Sequence, residues 1–159
     1  MTAALALLTA AALPFDDPET GVLRTADFEL SVPATGEKPF VGVQAQLMLK
    51  PDGDFAPNVN VLTQRYGGDL EAFRKLSEEG NPLLLGDYIT SEIRDDVYVA
   101  EYVMETPERQ IHAYQRATLR GGLVYIVTAV ATEDQWPGVE KTLRRSVDSF
   151  RLRGGAEKD

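Results

Sequence analysis

The sequence predicts an α+β fold, an α/β sandwich with a central, mainly antiparallel sheet of about six to eight strands and two main helices. Strand-like segments separated by short turns follow one another in the second half of the chain, which is typical of an antiparallel meander. Two other segments carry apolar residues at helical spacing. The segment LVYIVTAVA (123–131) is apolar on both faces apart from Thr128, so it predicts a central strand that is covered on both sides.

Strand-like segments also occupy the first half of the chain. Two short strands are predicted at residues 22–25 and 28–32, with a tight turn at Ala26-Asp27 between them. Alternating apolar residues predict a longer strand at 41–50, and a further strand is predicted at 58–66.

The strand at 58–66 has two different faces. One face is predicted to lie in the core and carries Val59, Val61 and Thr63. The other is mostly polar and carries Asn58, Asn60, Leu62, Gln64 and Tyr66. Amides at alternate positions of a sheet face can bind a ligand or the backbone of a partner, so Asn58, Asn60 and Gln64 are candidate binding residues. Simple solvation of a polar strand face explains the same pattern.

A helix is predicted over about 69–79. Asp69 is a suitable N-cap, and Gly80 followed by Asn81-Pro82 ends the helical pattern. Its apolar stripe, which we expect to pack in the core, consists of Leu70, Phe73 and Leu76.

The meander is predicted to contain strands at 84–94, 97–106, 110–120 and 123–131. Turn-forming pairs separate them at Asp95-Asp96, Pro107-Glu108 and Gly121-Gly122. Connections this short favour hairpins between neighbouring strands.

The second helix is predicted to start near Thr132, because Thr132 and Gln135 have the spacing of a capping box. Its apolar stripe consists of Trp136, Val139, Leu143, Val147 and Phe150. Three basic residues lie off this stripe and are predicted to face solvent: Lys141, Arg144 and Arg145.

Composition excludes several classes of function. The chain has 16 Lys and Arg against 25 Asp and Glu, a net charge of −9, which disfavours binding to nucleic acid or to anionic lipid. It has no cysteine, so disulfides, thiolate metal sites and cysteine nucleophiles are excluded. A cationic partner, or solubility alone, fits the acidic surface.

The first residues predict export. Residues 1–14 form an apolar, signal-like segment with a small-x-small pattern near Ala12, although no Lys or Arg precedes it; an N-terminal helix is the alternative. We expect a linker at 15–21, a domain at 22–152 and a disordered tail at 153–159. The predicted location is periplasmic or otherwise extracytoplasmic, with a cytoplasmic location as the alternative. The apolar run is too short for a membrane span in the mature protein.

Signatures of catalysis are missing from the sequence. It has no Gly-rich phosphate loop, no nucleophile elbow and no pair of histidines. His112 is the one histidine and lies in an alternating strand, so a structural or surface role is predicted; an enzyme would require a buried cluster around it. We therefore predict that the protein is not an enzyme and has no cofactor.

Clustered aspartates invite a comparison with cation sites. Asp52 and Asp54 are candidate metal ligands, because hard cations bind carboxylate oxygens. The twelve-residue spacing of an EF-hand is absent, and a turn formed by Asp52-Gly53-Asp54 explains the same residues.

The order of elements resembles the PsbP-like superfamily, which includes PsbP and the DcrB-type bacterial envelope proteins. The likeness lies in the segments FELSVP (28–33), NVNVLTQRY (58–66), LEAFRKL (70–76), GGLVYIVTAVA (121–131) and VDSFR (147–151). All of these are packing patterns. The resemblance implies a sandwich on an antiparallel sheet, an exported location, and a non-catalytic role in protein binding or complex assembly. It implies no catalytic residues, and the partner is expected to be another protein.

Overall fold

The computed structural model describes residues 22–24, 28–31, 40–41, 45–80 and 83–153, with backbone alone for 22–24 and 40–41. The predicted signal-like segment (1–14), the linker (15–21), the turn at Ala26-Asp27 and most of the predicted tail lie outside the described residues.

Ten strands and two helices follow one another in the described part of the chain. They are β1 (Val22–Arg24), β2 (Phe28–Ser31), β3 (Phe40–Val41), β4 (Ala45–Met48), β5 (Asn58–Arg65), α1 (Leu70–Glu79), β6 (Thr90–Arg94), β7 (Val97–Glu105), β8 (Gln110–Arg120), β9 (Leu123–Thr132), α2 (Trp136–Asp148) and β10 (Arg151–Leu152).

The strands form two antiparallel sheets. The larger has seven strands in the order β3-β4-β5-β9-β8-β7-β6, and the smaller has three in the order β1-β2-β10. The meander of β6 to β9 is extended by β5, which pairs with β9 along its whole length, from Asn58 opposite Val130 to Arg65 opposite Leu123. The predicted fold class, an α+β sandwich with a mainly antiparallel sheet and two helices, is confirmed.

Each face of the large sheet has its own apolar core. On one face, α2 and the small sheet cover Leu47, Val59 and Val127. On the other, α1 contributes Phe73 to a cluster with Tyr98 and other residues of β7, β8 and β9. The central strand β9 contributes to both cores, as its doubly apolar sequence predicts. Burying a side chain of this size contributes about 1.5–3 kcal/mol.

The α2 helix joins the two sheets. Its side chains Leu143 and Val147 are fully buried against the large sheet. The backbone N–H of Ser31 in β2 donates to the hydroxyl of Ser149, the residue that follows the helix, at 2.7 Å. Phe28 of β2 also packs against Phe150, with ring centroids 5.3 Å apart.

The first helix begins and ends where its caps predict. The carboxylate of Asp69 accepts a hydrogen bond from the backbone N–H of Ala72 at 2.8 Å, and the helix ends at Gly80. The predicted apolar stripe is only partly correct. Phe73 is buried, but Leu76 is 55 % exposed, because the helix turns this position away from the sheet.

The second helix begins at Trp136, four residues later than predicted. Thr132 and Gln135 do exchange the reciprocal bonds of a capping box, at 3.2 and 3.3 Å, but they close a turn that precedes the helix. The residues of the predicted apolar stripe pack in the core, but Phe150 lies beyond the end of the helix. The predicted exposure of Arg144 is wrong, because its guanidinium lies against the sheet and binds Glu101.

Two predicted strands differ from the observed ones. The continuous strand predicted at 41–50 is wrong, because Val41 belongs to β3, which pairs antiparallel with β4. The strand predicted at 84–94 is regular only from Thr90. Before it, Leu84 forms an isolated bridge with Met104, and Gly86 adopts a φ of 72° that interrupts the strand.

The two shortest hairpins have the turns that the sequence predicts. Asp95 and Asp96 have φ values of 48° and 59°, and Gly121 and Gly122 have values of 61° and 74°. Two successive positive φ angles match the right-handed twist of the flanking strands. Across the part of the chain that the structure describes, neither helix is long and apolar enough to cross a membrane.

Candidate functional site

The sheet face that carries α1 is only partly covered by this helix. The helix lies over β6 and β7, at one edge of the sheet. Towards the other edge, Met48 of β4 is 38 % exposed, Gln64 of β5 is exposed, and Asn60 is partly exposed. We call this region, formed by β4, β5 and the adjoining part of β9, the open half of the α1 face.

A row of polar side chains crosses this region. Gln46 of β4 lies opposite Asn60 of β5, Asn60 lies opposite Thr128 of β9, and Thr128 lies opposite Gln115 of β8. Directly opposed residues of an antiparallel ladder project to the same side, so the four side chains share one face. We call them the polar row. At a strand spacing of about 4.8 Å, the row extends for roughly 14 Å.

The row ends against the covered half of the face. The Tyr102 hydroxyl donates to the Gln115 side-chain oxygen at 3.3 Å. Tyr102 is itself buried, and this burial raises its pKa to about 12, so the phenol stays neutral. Gln115 is therefore anchored by a neutral donor. Thr128 is buried, whereas Gln46, Asn60 and Gln115 are partly exposed.

The structure separates the roles of the three predicted binding residues. Asn58 is buried, donates to the carbonyl of Ala56 at 3.1 Å, and accepts from Gln46 at 3.4 Å, so it supports the start of β5. Asn60 belongs to the polar row. Gln64 is exposed on the same face but lies four residues further along the strand, about 13 Å from Asn60. Their role in binding stays a prediction.

The chemistry of the polar row suits recognition. Carboxamides and hydroxyls donate and accept hydrogen bonds, and neither group titrates near neutral pH. Such a row can bind polar side chains or exposed backbone of another molecule. It supplies no general acid, no general base and no charge for a transition state.

The predicted metal ligands Asp52 and Asp54 lie in the turn between β4 and β5. They line an open depression of about 570 Å³ together with Arg109, Glu133 and other polar residues. The guanidinium of Arg109 donates two hydrogen bonds of 2.9 Å to the two carboxylate oxygens of Asp54. This bidentate pairing lowers the pKa of Asp54.

A cation at this turn would have to compete with Arg109. No group of three or more His, Asp and Glu side chains within the described ranges is arranged to hold a metal ion. The metal site at Asp52 and Asp54 therefore stays a prediction without support from further ligands.

The opposite face contains a charged cluster that the sequence did not reveal. His112 of β8 is only 5 % exposed. Its Nε2 lies 2.9 Å from a carboxylate oxygen of Glu101 in β7, and its Nδ1 lies 2.7 Å from Glu133, just after β9. Its ring stacks on Trp136, with centroids 4.0 Å apart and an interplanar angle of 9°. We call His112, Glu101, Glu133, Arg144 and Trp136 the histidine cluster.

Arg144 of α2 completes the cluster. It binds Glu101 and donates to Glu140 at 2.8 Å, and its guanidinium lies 4.3 Å from the centre of the Tyr114 ring. Burial alone would raise the pKa of Glu101, but hydrogen bonds from Arg144 and His112 hold this pKa below its usual range. The carboxylate therefore stays ionised although it is buried.

The cluster bears on the enzyme hypothesis. The buried cluster that an enzyme would require does exist around His112. Both ring nitrogens, however, face carboxylates, so in this arrangement neither nitrogen is open to a substrate. The one signal in the sequence was Glu101 itself, a charged residue between Val99 and Val103 on the inward face of β7.

Comparisons with known proteins support the resemblance. A family model described as PsbP matches residues 77–152, from the end of α1 to β10. PsbP domain-containing protein 6 of Arabidopsis thaliana, a chloroplastic protein, is 40 % identical over 63 residues, which cover 38 % of this chain and 24 % of that protein. The chain thus spans about a quarter of the length of the curated relative that it matches.

Solved structures share the fold. A Pseudomonas aeruginosa protein of unknown function superposes with a TM-score of 0.60 at 15 % identity, over 84 % of this chain and 97 % of that one. The cyanobacterial PsbP protein CyanoP of Synechocystis sp. PCC 6803 gives 0.51 at 14 % identity, over 92 % and 99 %. LpqN of Mycobacterium tuberculosis, involved in cell envelope biogenesis, gives 0.51 at 12 % identity, over 84 % and 82 %.

The matches do not supply the site. Thr128 and Gln115 lie within the residues that match the family model, whereas Gln46 and Asn60 lie outside them. The polar row is therefore an observation on this chain alone. Over residues 77–152 the chain is therefore similar to the PsbP family, and it shares the fold of the cyanobacterial PsbP protein.

Proposed function

We propose that the protein is an exported, non-catalytic PsbP-like domain that binds another protein, as a step in the assembly of a complex, through the open half of the α1 face. The observation that carries this proposal is the polar row, in which Gln46, Asn60, Thr128 and Gln115 align across four neighbouring strands. Their partly exposed amides can bind polar groups of a partner without any rearrangement of the sheet.

Apolar groups beside the row favour a protein as the partner. Met48 is 38 % exposed at one end of the open half, and Leu62 is partly exposed beside Asn60. Interfaces between proteins combine apolar contacts with about one hydrogen bond per 100–200 Å², and methionine is enriched in them. A surface that mixes amides with Met and Leu has this composition.

The net charge indicates the character of the partner. At −9 the chain attracts surfaces with an excess of Lys and Arg and accelerates their encounter at low ionic strength. Binding is therefore expected to weaken as salt is added, because counter-ions screen the attraction within about 10 Å at 0.1 M salt.

Site-specific photocrosslinking tests the proposed surface. A photoreactive amino acid is placed at Gln64, which is exposed on the open half, and in a matched variant at Glu79, which is exposed on α1. In cells of the native host, the Gln64 variant should form a discrete adduct that is lost when Asn60→Arg is added. Equal adducts from both positions, or an adduct that survives Asn60→Arg, would contradict the proposal.

Export is tested separately. The signal-like pattern near Ala12 predicts a mature protein that starts near Leu13, and the involvement in cell envelope biogenesis named for LpqN supports a similar location. Amino-terminal sequencing of the protein from a fractionated native host should find this start outside the cytoplasm. Recovery of the chain with Met1 in the cytoplasmic fraction would overturn this part of the proposal.

A further inference from the structure

The contacts of His112 favour a ring that carries a proton on each nitrogen. A neutral imidazole has one nitrogen that donates and one that accepts. In the histidine cluster both nitrogens face carboxylate oxygens, at 2.7 Å to Glu133 and at 2.9 Å to Glu101. An ionised carboxylate only accepts hydrogen bonds, so the observed geometry is satisfied when both nitrogens carry a proton and the ring is an imidazolium.

The surroundings of the ring support a positive charge. Glu101 faces it from β7 and Glu133 from the end of β9, while α2 contributes Arg144 to the same cluster. With an imidazolium, the cluster holds two positive and two negative groups, and Glu140, the second partner of Arg144, adds a third negative charge beside it. The indole of Trp136, stacked on the ring at 4.0 Å, favours a cation over its face.

The carboxylates of Glu101 and Glu133 differ in how easily they can move away from the His112 ring. The Glu101 side chain is 10 % exposed and is also held by Arg144. The Glu133 side chain is 45 % exposed and can turn into water. When the ring loses its proton, one nitrogen presents a lone pair to a carboxylate, and Glu133 is the carboxylate that can move away.

Release of Glu133 affects a second loop. Two residues further along, the Gln135 side chain donates to the carbonyls of Asp52 and Phe55, at 2.7 and 3.1 Å. These bonds tie the turn before α2 to the turn that joins β4 to β5. The histidine cluster thus holds the Glu133 side chain at one end of a short segment whose other end holds residues 52–55. The backbone N–H of Glu133 also donates to the carbonyl of Gln110 at 3.1 Å.

We propose that His112 is a proton-dependent latch on the turn at residues 133–135. In the protonated state it binds Glu133 and holds the segment, and through Gln135 it holds the turn at residues 52–55. In the neutral state Glu133 leaves and both turns loosen. The latch does not depend on the proposed function, although residues 52–55 connect the two strands that carry Gln46 and Asn60.

The chain offers an unusually direct measurement, because Trp136 and His112 are its one tryptophan and its one histidine. An imidazolium in contact with an indole quenches its fluorescence. As the pH is raised and the ring loses this proton, Trp136 emission should rise in a single one-proton step. The proton resonances of the His112 ring should titrate with the same midpoint, and His112→Gln should abolish the step.

A second measurement separates the latch from simple titration. Amide exchange, corrected for its intrinsic pH dependence, should show protection at residues 52–55 and 133–135 below the step and loss of that protection above it. Glu133→Gln should remove this difference but keep the fluorescence step, and Glu79→Gln, at an exposed position of α1 outside the cluster, should leave both unchanged. If His112→Gln does not fold, the fluorescence step is assigned instead by comparing its midpoint with that of the His112 resonances in the wild-type protein.

Two results would overturn the proposal. The first is a wild-type fluorescence profile without a step, or with a step whose midpoint differs from that of the His112 resonances. The second is equal protection of residues 52–55 on both sides of the step.

Discussion

At the scale of the residue, charges inside the sandwich are stabilised by specific partners. Glu101 lies in the interior and binds both Arg144 and His112. A carboxylate in such a place costs several kcal/mol of desolvation unless partners of opposite charge surround it. Its partners come from β8 and α2, so Glu101 fastens the helix to the sheet.

Replacement of Glu101 should destabilise the protein strongly. Glu101→Leu leaves Arg144 and His112 without their shared carboxylate, and breaking a buried pair in this way costs about 3–5 kcal/mol. Urea unfolding at neutral pH should show this loss, whereas Glu92→Leu, at a more exposed position of β6, should lie within about 0.5 kcal/mol of wild type. Equal stabilities of the two variants would contradict the assigned role.

The ion pairs of Glu101 should also make the stability of the protein depend on pH. Because the pKa of Glu101 is lower in the folded protein than its ordinary value of 4.5, the unfolded chain takes up this proton first as the pH falls. The stability due to Glu101 is therefore complete above about pH 4.5 and is lost as the pH drops through the lower, folded value. Glu101→Gln should flatten the acid limb of the free energy of unfolding against pH.

At the scale of the element, local signals located the helix boundaries, and long-range contacts decided what each face covers. Asp69 and Gly80 act within one turn of the chain, so the sequence places the ends of α1 correctly. Leu76 follows the same apolar spacing as Phe73 but is exposed, because the angle between the helix and the sheet decides which positions reach the core. That angle depends on residues distant in sequence.

Truncation of Phe73 and of Leu76 should measure the difference in burial between these two positions of α1. Phe73→Ala removes a ring that packs against Tyr66 and Tyr98, with centroids 5.3 and 6.0 Å away, and should cost about 3–5 kcal/mol. Leu76→Ala should change the free energy of unfolding by no more than about 0.5 kcal/mol. Comparable losses in chemical denaturation would show that Leu76 is buried in solution.

The cap of α1 permits a separate test. Asp69→Ala removes the acceptor for the Ala72 N–H and should cost about 1 kcal/mol. Asp87→Ala changes an exposed aspartate outside the helix and serves as the control. A thermal melt in which both variants lose the same stability would argue against capping by Asp69.

At the scale of the whole molecule, the sequence predicts the architecture better than the sites. Alternation and turns are local, so the meander and the doubly covered β9 follow from the sequence. The polar row does not, because Gln46, Asn60, Thr128 and Gln115 align only through pairings between strands distant in the chain. The pairing of Arg144 with Glu101 is likewise non-local. The sequence alone predicts that Arg144 faces solvent, because the position of the helix on the sheet depends on distant residues.

The shared central strand should make unfolding cooperative. Strand β9 contributes to both cores, so loss of one core exposes the strand that supports the other. Trp136 fluorescence reports on the α2 core, and near-ultraviolet circular dichroism of the tyrosines reports mainly on the α1 core. The two transitions should coincide in urea, and separated midpoints would show that the cores unfold independently.

The pairing of β5 with β9 also has a consequence for the order of folding. Strands β8 and β9 are neighbours in the chain, but Asn58 and Val130 must come together across the whole meander and α1. Closing so long a loop is slow, so we expect the β8–β9 hairpin to form early and β5 to dock late. Pulse-labelled amide exchange should show this sequence of events. Thr128 and Gln115 would then be in place before Gln46 and Asn60 pair with them. The polar row would become complete only in a chain that has finished folding.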